Sequence, residues 1–266
     1  MRNWPNPYPR KSKPHGCAAP SGHPQRRYSA ILGENLVGIY VHGSIAFGCF
    51  RWETSDIDFI VVVDTKIDAS TKLRLLEALT SLLPQAPPKG FEMSVVRKEN
   101  CLRFTYPTPY ELHFSNHWLH AYRNDPLAIC GDEVKTDPDL AAHFTVIRHV
   151  GQVLCGAPIG EVFGEVDRAY YLDSILRDSL GAVGDIEKDP VSVVLNLCRM
   201  LAFAQEGLVV SKAAGGQWAL GCIDPDFRRI VQTAIDAYVS DGRMEPDTSM
   251  AQAFCGYMLH RMEEHP

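Results

Sequence analysis

No stretch of this chain is apolar over the length a bilayer demands, and no basic segment followed by an apolar core opens it. A membrane span and a secretory leader are therefore not expected, and a cytoplasmic location is. The eight cysteines, Cys17, Cys49, Cys101, Cys130, Cys155, Cys198, Cys222 and Cys255, form no CxxC pair and no Cys/His ligand spacing. That excludes a zinc frame and reads as free thiols of a reducing compartment. A GxxxxGK[ST] segment is missing too, so there is no Walker A loop. Nor is there an excess of basic charge: the net charge is -6 over 266 residues. Backbone affinity for nucleic acid comes from clustered Lys and Arg, so a general nucleic-acid binder is not expected. An acidic surface suits a small cationic substrate. No internal repeat is evident. Residues 1–27 carry no acidic residue and are rich in Pro, Gly, Ser, Lys and Arg. Such a segment buries too little apolar surface to offset ordering, which predicts a disordered, dispensable extension.

What is present centres on Val37 to Val63. An apolar run (Val37, Ile39, Val41) stops at Gly43-Ser44, and after a short irregular piece Asp56 and Asp58 open a second run, Phe59 to Val63. Short Val/Ile/Tyr runs punctuated by Gly and Ser read as buried strands. Residues i and i+2 of a strand share a face, so Asp56 and Asp58 project side by side while Ile57 turns away. Two such carboxylates repel unless a cation lies between them, and hard oxygen donors suit Mg²⁺ together with phosphate oxygens. Gly43 lets the backbone approach a phosphate, and the N–H groups from Ser44 onward attract anions.

Further on, Ala69 to Leu83 has helical apolar spacing, with Pro84 to stop it. Phe91 to Val96 alternates as a third strand, and its single acid is Glu92. Residues 106–118 are aromatic and loop-like, turning strand-like around Leu112 to Phe114. From Asp137 to Pro158 the spacing predicts a helix capped by Asp137 and ended by Gly156. Beyond Gly164 strand signals vanish. Tyr171 to Leu180, Val191 to Gln205, Phe227 to Val239 and Thr248 to Glu263 carry helical periodicity. The expectation is a disordered 1–27, an α/β (α+β) domain with a mixed sheet over 28–164, and an all-α helical bundle over 165–266.

The Gly-Ser and Asp-x-Asp pair resembles the signature of the polymerase β-like nucleotidyltransferases. Residues 196–220, NLCRMLAFAQEGLVVSKAAGGQWAL, are similar to the helix-loop-helix of the aminoglycoside (3'')(9) adenylyltransferases. The likeness also covers FEMSVV, YELHF, DPDLA and Tyr238, and runs from Leu36 to the end. It implies a nucleotidyltransferase domain followed by a helical domain. It implies that ATP and two Mg²⁺ ions lie against Gly43, Ser44, Ser55, Asp56, Asp58 and Asp139. Arg199 and Lys212, with Tyr238, would serve the nucleotide from the helical domain, and Glu92 would be a metal ligand and the general base. Asp189 matches the acid that contacts the antibiotic, and Asp185 a second such acid in enzymes accepting streptomycin. The family's Trp before those acids is Leu180 here, and the aromatic after YELHF is out of step, with His117 at its place and Trp118 beside it. Folds of this kind carry a full helix before the first strand, and here only 28–35 leaves room for one.

The resemblance thus implies transfer of AMP from ATP to a hydroxyl of an aminoglycoside or aminocyclitol, spectinomycin ahead of streptomycin, by a monomer that confers resistance. Two rivals stand beside it. One is a nucleotidyltransferase acting on another small molecule or a protein hydroxyl. The other is a degenerate, non-catalytic nucleotide-binding protein, which would bind ATP with Mg²⁺ and not turn over.

Overall fold

The computed structural model describes residues 24–240 and 242–264. The described chain divides into two compact units between Val166 and Asp167. Among these residues no helix is long and apolar enough to cross a membrane.

The first unit is built on a five-stranded mixed sheet. In chain order its elements are α1 (Pro24–Leu32), β1 (Leu36–Val41), α2 (Gly43–Ala46), β2 (Ile57–Val63), α3 (Ala69–Thr80), β3 (Phe91–Arg97) and α4 (Lys98–Leu102). After them come β4 (Thr108–Tyr110), β5 (Leu112–Ser115), α5 (Leu119–Asn124), α6 (Pro126–Cys130), β6 (Lys135–Asp137), α7 (Leu140–Val150), β7 (Gln152–Gly156) and α8 (Ile159–Val162). The sheet order is β5-β3-β2-β1-β7, and β4 pairs with β6 apart from it. The crossover through α3 makes β2 and β3 parallel, while β1 and β2 are antiparallel.

Period-2 alternation sorts the strands into two cores. Ile39, Phe59, Val61, Phe91, Met93 and Val95 face α1 and α3, where Tyr28, Leu75, Leu76 and Leu79 close over them. Tyr40, Ile60, Val62 and Val96 face the other way, against Leu140, Phe144 and Ile147 of α7 and Phe163. Each such side chain contributes about 1.5–3 kcal/mol by leaving water, so both faces of β2 are anchored.

Two expectations are corrected. Residues 24–27, assigned to the disordered extension, are the first turn of α1, which begins four residues before the predicted 28. Tyr28 explains this: it is fully buried and its hydroxyl donates to Leu75 O at 3.3 Å, so the helix is ordered by what it packs on. The expectation for 1–23 lies outside the described residues. The helix predicted over 137–158 is likewise a strand, a helix and a strand. Asp137 ends β6, α7 stops at Val150, and Gln152–Gly156 pairs with β1. Helical spacing linked Val150 to Leu154, but Leu154 is exposed on the sheet's edge. The open side of β1 needs a hydrogen-bonding partner, and that tertiary demand outweighs local periodicity.

The second unit has helices as its regular elements among the described residues from 167 on: α9 (Arg168–Ser179), α10 (Ala182–Asp185), α11 (Pro190–Glu206), α12 (Lys212–Ala219), α13 (Pro225–Ser240) and α14 (Thr248–Glu263). Helix α11 is the axis. Asp189 caps it through an N–H bond from Ser192 at 3.1 Å, Pro190 sits in its first turn, and Gly207 ends it with φ +67. Leu195, Cys198, Leu201 and Ala202 are fully buried, as are Val231 of α13 and Phe254 and Met258 of α14.

Helices α11 and α12 approach closely because α12 carries Gly215-Gly216. A Cβ on Gly215 would lie 2.6 Å from Arg199 Cα and 2.7 Å from Arg199 N, backbone atoms that yield only if the helices part. Gly215→Ala is expected to cost about 2 kcal/mol, or about 4–8 °C in Tm. Thermal unfolding checks this, and an unchanged Tm would show that the helices separate freely.

Candidate active site

Three acids meet at one end of the main sheet. Asp58 and Glu92 are register partners in the parallel β2–β3 pair, so their side chains leave the same face. Asp56 precedes β2 by one residue and returns to that side, while Ile57 between them packs on the opposite core. One carboxylate oxygen from each of Asp56, Asp58 and Glu92 lies within 4.8 Å of the others. Three negative groups at that spacing repel one another strongly unless a cation is shared. All-oxygen donors of this density match Mg²⁺ and do not resemble a zinc or copper set.

The bend at Gly43 is shaped around Asp58. Gly43 has φ +57, and a Cβ built on it would overlap Asp58 Oδ2 and come within 2.6 Å of its Cγ. The His42 N–H also donates to Asp58 O at 3.0 Å, tying the bend to β2. Beside it, the Ser44 hydroxyl is buried and has no hydrogen-bond partner among the described residues. An orphaned buried hydroxyl is costly unless a ligand completes it. An anion carried beside the cation would do so.

Ser55 is buried, and its Oγ accepts the Arg51 N–H at 3.1 Å, which closes the loop that delivers Asp56. Asp139 stands at the N-terminus of α7 without capping it; its N–H donates to Asp137 Oδ1 at 2.9 Å. One turn on, His143 faces Glu92, with Nε2 3.7 Å from Oε1. His117 and Trp118 follow β5, whose Ser115 is the register partner of Glu92, and Trp118 is exposed. Their rings meet edge to face at 5.6 Å.

In the helical unit Asp189, Ser192 and Lys212 form a second polar group. Asp189 caps α11, and Lys212 Nζ donates to Ser192 Oγ at 3.3 Å. Asp185 is half-exposed and pairs with Lys188 at 3.2 Å. Arg199 sits mid-helix on α11, close enough to Tyr171 to oppose the upward pull of burial on that phenol. Tyr238 lies on α13, partly buried.

Two residues of the first unit escaped the sequence. His42 is buried at the N-cap of α2, and its ring lies 4.7 Å from that of His143. Burial, and then the neighbouring His143, hold His42 well below the usual histidine range, so it is neutral. Neither imidazole belongs to a recognisable motif; only the pairing of β1 with β2 and of α7 with the sheet brings them together.

Fold and acidic triad together are of the kind that nucleotidyl transfer requires. Residues 161–261 match the family model described as "Aminoglycoside adenylyltransferase, C-terminal domain". The chain is 26% identical over 235 residues to an aminoglycoside (3'')(9) adenylyltransferase of Klebsiella pneumoniae, covering 85% of this chain and 87% of that protein. It is 25% identical over 241 residues to a spectinomycin 9-adenylyltransferase of Staphylococcus aureus, covering 88% and 90%. Its fold matches a spectinomycin adenyltransferase AAD(9) of Enterococcus faecialis, solved with ATP and spectinomycin, at a TM-score of 0.76 and 17% identity over 90% of this chain and 96% of that one. The likeness to the aminoglycoside (3'')(9) adenylyltransferase family that the motifs imply therefore extends over most of the chain.

Proposed function

We propose that this chain transfers AMP from ATP to a hydroxyl of an aminocyclitol antibiotic of the spectinomycin type, with release of pyrophosphate. The observation that carries the reading is the convergence of Asp56, Asp58 and Glu92 beside the Gly43-Ser44 bend. The three acids would hold Mg²⁺, which when bound supplies charge stabilisation for the entering and leaving oxygens. Ser44 gives its hydroxyl to the phosphate tail, and Ser55 and Asp139 would join it in binding the nucleotide. Glu92 takes the proton from the acceptor hydroxyl; a carboxylate that also faces a cation is a weak base, so it works through placement. Arg199 and Lys212 bear the positive charge that a departing pyrophosphate requires, and Tyr238 joins them in binding the nucleotide.

The acceptor's ammonium groups call for acids, and Asp189 and Asp185 are the candidates, with His117 and Trp118 as neighbouring contacts. Streptomycin is the poorer substrate, because Leu180 stands where the family's Trp would and is exposed. The test is pyrophosphate release with spectinomycin and with streptomycin, alongside growth of a susceptible host on each. Release with spectinomycin is expected. Silence with every aminocyclitol would move the acceptor to another small molecule or a protein hydroxyl, and ATP binding without turnover would make the chain a non-catalytic binder.

Asp189 serves two purposes that substitution separates. Asn is as good an N-cap as Asp, so Asp189→Asn should leave Tm unchanged while raising KM for spectinomycin by about 10–100-fold through loss of a charged hydrogen bond. Asp189→Ala should show the same KM effect and also cost about 1 kcal/mol of stability. Steady-state kinetics and thermal melts of the two variants check this.

A further inference from the structure

Glu92 has a neighbour that the proposed chemistry does not use. His143 projects from α7 with Nε2 3.7 Å from Glu92 Oε1. Its ring leans on buried His42, centroids 4.7 Å apart and tilted by 41°, and its Nδ1 is buried with no hydrogen-bond partner among the described residues. The tautomer of an imidazole is set by whatever its nitrogens bond. With Nδ1 unclaimed, the Glu92 carboxylate is the group that draws a proton to Nε2. The nearby polar pair on β3 and β5 is already satisfied internally, since Ser94 Oγ and His113 Nδ1 lie 2.9 Å apart. It therefore does not compete for His143.

We propose that His143, braced by His42, is a positioning residue of Glu92: its Nε2 stands 3.7 Å from Oε1, and a small closure makes the N–H a donor that steadies the carboxylate beside the Asp56–Asp58 pair. A glutamate has three rotatable side-chain bonds, and the two aspartates opposite repel it. Burial does not lock the carboxylate, since its side chain is 32% exposed. A donor within reach of the carboxylate offsets that repulsion and keeps the group where a metal and an acceptor hydroxyl need it. The role asks only for an N–H at Nε2, which neutral and charged imidazole both supply. It rests on the reading of Glu92 as ligand and base.

The experiment compares His143→Leu, which fills the space without a donor, with His143→Gln, which keeps one. Two readouts are taken on the full chain: kcat and KM for ATP in spectinomycin-dependent pyrophosphate release, and Mn²⁺ affinity by electron paramagnetic resonance without acceptor. His143→Leu is expected to lower kcat about 10–100-fold with KM for ATP within about twofold, and to weaken Mn²⁺ binding about fivefold. His143→Gln should return both to within about threefold of the parent. Leu with parental kcat and Mn²⁺ affinity overturns the proposal. So does Gln as impaired as Leu while melting at the parental Tm. If the parent itself turns over no aminocyclitol, the acceptor reading fails by itself, and the Mn²⁺ arm still decides the role of His143. Should the Leu variant not fold, His143→Ala takes its place.

Discussion

Glu92→Gln is expected to lower kcat for spectinomycin-dependent pyrophosphate release by about 10³–10⁴-fold while leaving Tm unchanged or slightly raised. A positioned general base contributes about 10²–10⁴-fold by itself. The amide cannot take the proton, and as a neutral oxygen it is also the poorer partner for a hard cation, so the loss belongs near the upper end. Stability behaves differently because Glu92 is one of three carboxylates whose oxygens lie within 4.8 Å. Removing one charge without metal relieves repulsion, and the side chain is 32% exposed, so water reaches the amide that replaces it. Gln also keeps the volume, and β3 keeps its pairing with β2 and β5. ATP binding should persist within a few-fold, measured by titration calorimetry. A Glu92→Gln chain that protects a susceptible host on spectinomycin as well as the parent does would remove Glu92 from the chemistry.

The triad was legible because it obeys local rules. Asp56 and Asp58 stand two apart at a strand start, and Glu92 is the lone acid of the next strand after a crossover helix. Parallel pairing then makes Asp58 and Glu92 neighbours. The helical unit was legible for a similar reason: caps and breakers such as Asp189, Pro190 and Gly207 sit at the ends of periodic runs. What escaped depends on partners distant in the chain. Strand β7 exists because β1 has an open side, and the start of α1 is ordered by Tyr28 reaching Leu75. His42 and His143 are 101 positions apart in the sequence numbering and meet only through the layering of α7 on the sheet. No spacing rule couples them. Gly43 was read as room for a phosphate, and the structure adds a second reason, its contact with Asp58.

That contact makes Gly43→Ala a small change aimed directly at the acidic triad. A methyl at position 43 meets two obstacles. The first is the backbone, since φ +57 costs a residue with a Cβ about 1–3 kcal/mol. The second is Asp58, whose Cγ would lie 2.6 Å from the new atom. Asp58 is only 9% exposed and is flanked by Glu92 on the next strand, so its carboxylate has little room to retreat. Either the bend opens and carries Ser44 away, or Asp58 turns out of the triad. Both outcomes lower kcat by about 10²-fold or more, because a misplacement near 1 Å is enough for that. Gly48→Ala is the matched control. It has φ +73 with nothing within 4 Å of its would-be Cβ, so it carries the backbone cost without the collision. Gly43→Ala should therefore lose at least as much stability as Gly48→Ala in thermal melts, while Gly48→Ala retains turnover and Gly43→Ala does not. Equal activities would show that Asp58 moves freely, and the bend would then have no part in holding the acids together.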